Sequence, residues 1–120
     1  MDISQTLAEL KKDPEFAKNV GMVLVHNGIV RSWSRGDKSE VEAVNVQADH
    51  AKVAELCREY EQKPGIYKVM AEACEGKLYP GDDLLFIIVA GALREDVKPV
   101  LAELLDRIKD EAVSKTEDKV

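Results

Sequence analysis

The sequence predicts a single α+β domain on three observations. An unbroken apolar run from Leu84 to Ala90 follows a Pro80-Gly81 turn, and apolar residues recur at helical spacing in two segments. These are Val53, Leu56, Cys57 and Tyr60, and then Val97, Val100, Leu101, Leu104, Leu105 and Ile108. The first run lacks polar alternation, which suits a strand covered on both faces; the other two are the apolar stripes of packed helices. At 120 residues with 45% hydrophobic content, the chain can bury a core without help from disulfides or metal.

Taken in order, Ile3, Leu7 and Leu10 fall at i, i+4 and i+7 and predict a short amphipathic helix that Asp13-Pro14 stops. Met22 to Val25 reads as a strand, continued through Gly28 to Arg31 after an irregularity at Asn27-Gly28. Ser32 to Ser39 is a polar, exposed loop. Val41, Ala43 and Asn45 alternate with Glu42, Val44 and Val46, predicting a strand whose buried face the pattern leaves open. Asp49 caps the helix that carries Val53 to Tyr60, and Pro64-Gly65 closes it.

Residues 66–75 read two ways. Met70-Ala71-Glu72-Ala73 favours helix, whereas Tyr67, Val69, Ala71 and Ala73 would line one side of a strand; local propensity leans to helix. Pro80 and Gly81 supply the turn before the buried run, one by fixed φ and the other by tolerance of positive φ, and Asp82-Asp83 belongs to the same turn chemistry. Asp96 is the candidate cap of the last helix, with Pro99 in its first turn. The domain is expected to span 1–110, and 111–120 read as a polar, mobile tail.

Seventeen Lys and Arg against 23 Asp and Glu give a net charge of -6, which argues against non-specific nucleic-acid binding. Any bound anion must be held by a local cluster. Arg94, which ends the apolar segment just before the last helix, asks for such an anion. No leader or long apolar span precedes Cys57 and Cys74, so a cytoplasmic protein with reduced, structural thiols is expected, with no membrane association. His26 and His50 have no ligand-spaced partners, so no metal site is expected, nor any cofactor. Trp33, in the polar loop, reads as a contact for a partner or a lid over a pocket.

Two segments together resemble a known family. Gly21-Met22-Val23-Leu24-Val25-His26-Asn27-Gly28-Ile29-Val30-Arg31 is similar to its G-x-V-x-x-F-x-G-x-V-R motif, with His26 at the aromatic position. Gly76-Lys77-Leu78-Tyr79-Pro80-Gly81-Asp82, the apolar strand and Arg94 are similar to its G-x-L-x-x-G-D, strand, H-R segment. The family is the large, catalytic subunit of molybdopterin synthase. The resemblance implies an α/β hammerhead-type fold with a mixed, mainly antiparallel sheet and flanking helices, including a strand at 66–75. It also implies a homodimer that joins a small ubiquitin-like sulfur-carrier subunit in a heterotetramer. The reaction so implied moves sulfur from the carrier's C-terminal thiocarboxylate to cyclic pyranopterin monophosphate, forming the molybdopterin dithiolene.

By the same resemblance, Arg31 and Arg94 match anion-binding positions, where a guanidinium can grip oxygens bidentately. Lys109 matches the lysine of the last helix, and Lys115 matches a second lysine if one residue is deleted; both are expected in proton transfer. The chain departs from the family at Leu93, where a histidine is usual, and at Ala73-Cys74, where an H-R pair is usual. The proline and tryptophan that usually precede the second lysine are absent too. These departures support an alternative, a non-catalytic relative that binds a ubiquitin-like tail or another partner.

Overall fold

The computed structural model describes all of residues 1–120. Helix α1 (Ile3–Lys11) begins where the Asp2 carboxylate accepts from the Gln5 N–H at 2.9 Å. A single further helical turn, α2 (Phe16–Asn19), follows Asp13-Pro14. The order then runs β1 (Met22–Ile29), β2 (Val41–Ala48), α3 (His50–Glu61), β3 (Ile66–Ala73), β4 (Gly76–Leu78), β5 (Asp83–Gly91), α4 (Arg94–Glu111) and β6 (Val113–Lys119).

Six strands form two antiparallel three-stranded sheets, β1-β5-β3 and β4-β2-β6. The α+β class with flanking helices therefore holds. β5 is central in the first sheet, so both its edges are paired and both its faces are covered, as its continuous apolar sequence requires. Leu85, Ile87 and Val89 join the main core with Val53, Leu56, Cys57 and Tyr60 of α3 and the Val97, Val100, Leu104, Ile108 stripe of α4. Phe86, Ile88 and Ala90 point to the opposite face and are buried as well. α1 lies beside that face, where Leu10 shares a surface hollow with Lys68 and Met70 of β3.

The second sheet has its own small core of Val30, Val41, Val44 and Val46. A register shift between Val41 and Ala43 breaks the two-residue alternation, which is why Val41 and Val44 reach the same cluster. That bulge resolves the question of which β2 face is buried. Val113 packs against both cores and links them. The molecule is elongated, 50 × 25 × 24 Å, and its radius of gyration of 15.6 Å exceeds the about 14 Å usual for this length.

Residues 66–73 form β3, the strand that the resemblance implies and not the helix toward which local propensity leans; pairing with β5 and burial of Val69 and Ala73 outweigh the helical preference of Met, Ala and Glu. Two expectations are corrected. Helix α4 begins at Arg94, with Leu93 at the cap position and no side-chain cap, so Asp96 does not cap it and Pro99 falls in the second turn. Residues 113–119 are not a free tail, because β6 pairs with β2 from Val41 to Ala48. A polar edge strand needs only one partner edge and no buried face, so charged residues suit it.

Candidate functional site

The end of β1, the loop after it, the last turn of α4 and β6 converge around a cleft of about 610 Å³. Pairing between β1 and β5 becomes irregular at Gly28/Ile29, and beyond this bulge the chain turns toward the second sheet, bringing Arg31 and Arg35 to the cleft. Lys109 arrives from α4, and Lys115 from β6, where it stands opposite Val46 of β2. His26 and Glu117 also line the cleft, so four cations share it with one carboxylate. In a chain of net charge -6 this is a local reversal of sign.

The groups in the cleft perturb one another. Burial, then repulsion from Arg31 and Lys109, lowers the Lys115 ammonium below the usual lysine range, and Glu117 opposes that shift. Burial lowers His26 as well, with Lys109 adding to it, so its neutral form is favoured. Glu117 is held below the ordinary carboxylate range, first by the Ser34 hydroxyl that donates to it at 2.9 Å and then by Lys119. The Arg31 guanidinium lies 4.6 Å from the centre of the Trp33 ring, and Lys38 lies 4.4 Å from it. Such contacts pre-position a cation at little cost. Trp33 remains 41% exposed.

Of the four site residues taken from the sequence, the cleft collects Arg31, Lys109 and Lys115. It does not collect Arg94. Because β5 runs antiparallel to β1, with Met22 opposite Gly91 and Ile29 opposite Asp83, Arg31 and Arg94 sit at opposite ends of the sheet. At the usual rise per strand residue they are about 25 Å or more apart. The Arg94 side chain is exposed and meets only Glu95, at 3.3 Å.

Sequence reasoning missed His26 and Glu117 as lining residues. His26 carried a signal: it follows Leu24 on the core-facing side of β1, a polar residue in an apolar row, at a position where the resembled motif has an aromatic. Glu117 carried none, since its segment reads as a tail. Burial raises the Cys57 thiol to about 11 and raises Cys74 also, which suits inert, structural thiols. No three His, Cys, Asp or Glu side chains gather closely enough to hold a metal ion, and no helix is long and apolar enough to cross a membrane.

The arrangement can grip an anion between cations contributed by three separate segments, with groups in reach that donate or accept protons. A family model described as "MoaE protein" matches residues 1–111, a span that includes Lys109 and stops short of Lys115. Among solved structures, molybdopterin synthase from Staphylococcus aureus is 25% identical, with 84% of this chain and 76% of that one covered at a TM-score of 0.73. Molybdopterin cofactor biosynthesis protein E from Burkholderia multivorans shares the fold at 23% identity and a TM-score of 0.74, over 100% and 82% of the two chains. A protein-protein complex of subunits 1 and 2 of molybdopterin-converting factor from Helicobacter pylori shares it at 16% identity and a TM-score of 0.70, over 98% and 78%. No curated protein matches.

Proposed function

The chain belongs to the MoaE protein family, and from that premise we propose that it is the large subunit of a molybdopterin synthase. In this reading it transfers sulfur from the C-terminal thiocarboxylate of a small ubiquitin-like carrier subunit to cyclic pyranopterin monophosphate, in two rounds that build the dithiolene. One observation carries the reading: the cationic cleft formed by Arg31, Arg35, Lys109 and Lys115 in an otherwise acidic chain. A phosphorylated pterin and a thiocarboxylate tail are both anions, and such a cleft raises the local concentration of each.

Arg31 holds one anion. Lys109 and Lys115 donate protons and neutralise charge that develops on the acyl oxygen as the carrier's carbon is attacked. Arg94 acts in a homodimer, brought to the cleft of one copy by the other, since it cannot reach the cleft of its own chain. Reconstitution with a thiocarboxylated carrier tests the whole: dithiolene product is expected, and its absence under conditions where a known synthase turns over rejects the enzyme.

A non-catalytic relative is the second reading, and Leu93 favours it. It stands where the resembled family has a histidine, and it is 59% exposed at the cap of α4, where its side chain makes no capping hydrogen bond. Binding of a ubiquitin-like carrier without turnover would establish that alternative.

A further inference from the structure

His26 has no structural role that satisfies it. Its Nε2 is the only buried side-chain nitrogen or oxygen in the molecule without a hydrogen-bond partner. Buried polar groups are normally paired, and an unpaired one on an apolar strand face costs stability that Phe or Leu would not. Its neighbours on that face of β1 are Leu24 and Gly28, and Ile87 of β5 stands opposite. The imidazole also leans over Gly28, where a Cβ would lie 3.0 Å from Nε2. Glycine at 28 leaves that nitrogen room.

The groups that share the cleft with His26 are Arg31 and Arg35 from the loop after β1, Lys109 from α4, and Lys115 and Glu117 from β6. Guanidinium and ammonium groups donate hydrogen bonds and have no lone pair to offer. Glu117 is engaged at Oε1 by Ser34 and Lys119 and held below the ordinary carboxylate range, which makes it a poor base near neutral pH. The imidazole is thus the one buried proton acceptor among the cleft's lining residues that is left without a partner.

We propose that His26 is the general base of the sulfur-transfer reaction, an assignment that rests on the proposed function. Once sulfur has bonded to the pterin carbon, the carrier's acyl group must leave it. The oxygen of a water forms a bond to the acyl carbon, the acyl carbon–sulfur bond breaks with its electron pair remaining on sulfur, and the water's proton passes to the imidazole. The carrier departs as a carboxylic acid that ionises in solvent, and the imidazolium returns its proton to water. The lysines act as acids in the same step. Burial and the nearby Lys109 keep the imidazole neutral and ready to accept.

The test compares wild type with His26→Phe, which restores the family's aromatic, and His26→Gln, using thiocarboxylated carrier and cyclic pyranopterin monophosphate. Both variants should fold, and the thermal midpoint of His26→Phe should be no lower than that of wild type at neutral pH, since it removes the unpaired nitrogen. The expected result is a loss of about 100-fold or more in kcat with KM for the carrier within about threefold, and disappearance of the acid limb of the pH–rate profile. Wild-type turnover with kcat in either variant within about threefold overturns the assignment and leaves the enzyme standing. A rise in KM with kcat and the acid limb unchanged overturns it also, in favour of a binding role. Absence of product from wild type itself overturns the base and the proposed function together.

Discussion

Arg31→Gln is the most direct perturbation of the cleft. A guanidinium about 4 Å from a phosphate, at an effective dielectric of about 20, attracts it by about 4 kcal/mol. Desolvation takes back part of this, and a hydrogen bond to a charged group nets about 1.5–3 kcal/mol. At about 1.4 kcal/mol per tenfold, the substitution should weaken binding of cyclic pyranopterin monophosphate by about 10- to 100-fold. Arg94 lies about 25 Å away along the sheet, some three screening lengths of about 8 Å at physiological salt. Arg94→Gln in dilute, monomeric protein should therefore change affinity by less than about twofold. Calorimetric titration measures both, and Trp33, the one tryptophan, reports Arg31 by fluorescence. An Arg31→Gln protein that binds within about twofold of wild type would refute the electrostatic reading. In the proposed homodimer, mixing Arg31→Gln and Arg94→Gln chains should restore about a quarter of the sites if Arg94 acts across the interface, and none if it does not.

Ending the chain at Ala112 removes β6, with the Val113 contact that joins the two cores; cavity and pairing losses predict destabilisation by about 2 kcal/mol or more in urea melts, and an unchanged midpoint would show that β6 is not part of the folded unit. Gly65→Ala puts a Cβ at φ +80°, against the Asp96 carboxylate, and should cost about 1–3 kcal/mol; a neutral result would mean that the turn relaxes out of the left-handed region as Asp96 moves aside. His26 adds a pH dependence of known sign. Its folded value lies below the ordinary 6.5, so the unfolded chain binds the proton more readily; its contribution is full above that value and is lost as pH falls through the folded one. Thermal midpoints between pH 7 and 5 should fall less steeply in His26→Phe than in wild type, and parallel curves would contradict the lowered value.

Where side-chain periodicity and burial coincide, the sequence is readable. Val53, Leu56, Cys57 and Tyr60 stand out by their spacing and are the four buried residues of α3, and Asp49 caps it by accepting from the Lys52 N–H at 3.0 Å. The buried run of β5 was equally plain. Strands whose identity comes from a partner edge were not: β6 has only Val113 to mark it, and β3 is written in residues that prefer helix. The site divides in the same way. Arg31 stands in a motif, Lys109 matches a lysine of the resembled family's last helix and Lys115 matches only with a gap, while the separation of Arg94 depends on strand direction, which no local pattern carries. His26 was visible as an oddity in a motif, and its meaning depended on the missing partner at Nε2.

The two cores differ in strength, and the cleft straddles them. Fourteen buried residues hold the first sheet to α3 and α4, whereas four valines hold the second. Opening the smaller unit costs less than unfolding the whole, so amides of β2, β4 and β6 should exchange with solvent before those of β5 and α4. His26 and Lys109 belong to the stable body; Lys115 and Glu117 ride on the looser one. The cleft can therefore widen by local opening while its base and one of its lysines stay in place, giving a bulky anion a way in that global unfolding does not limit.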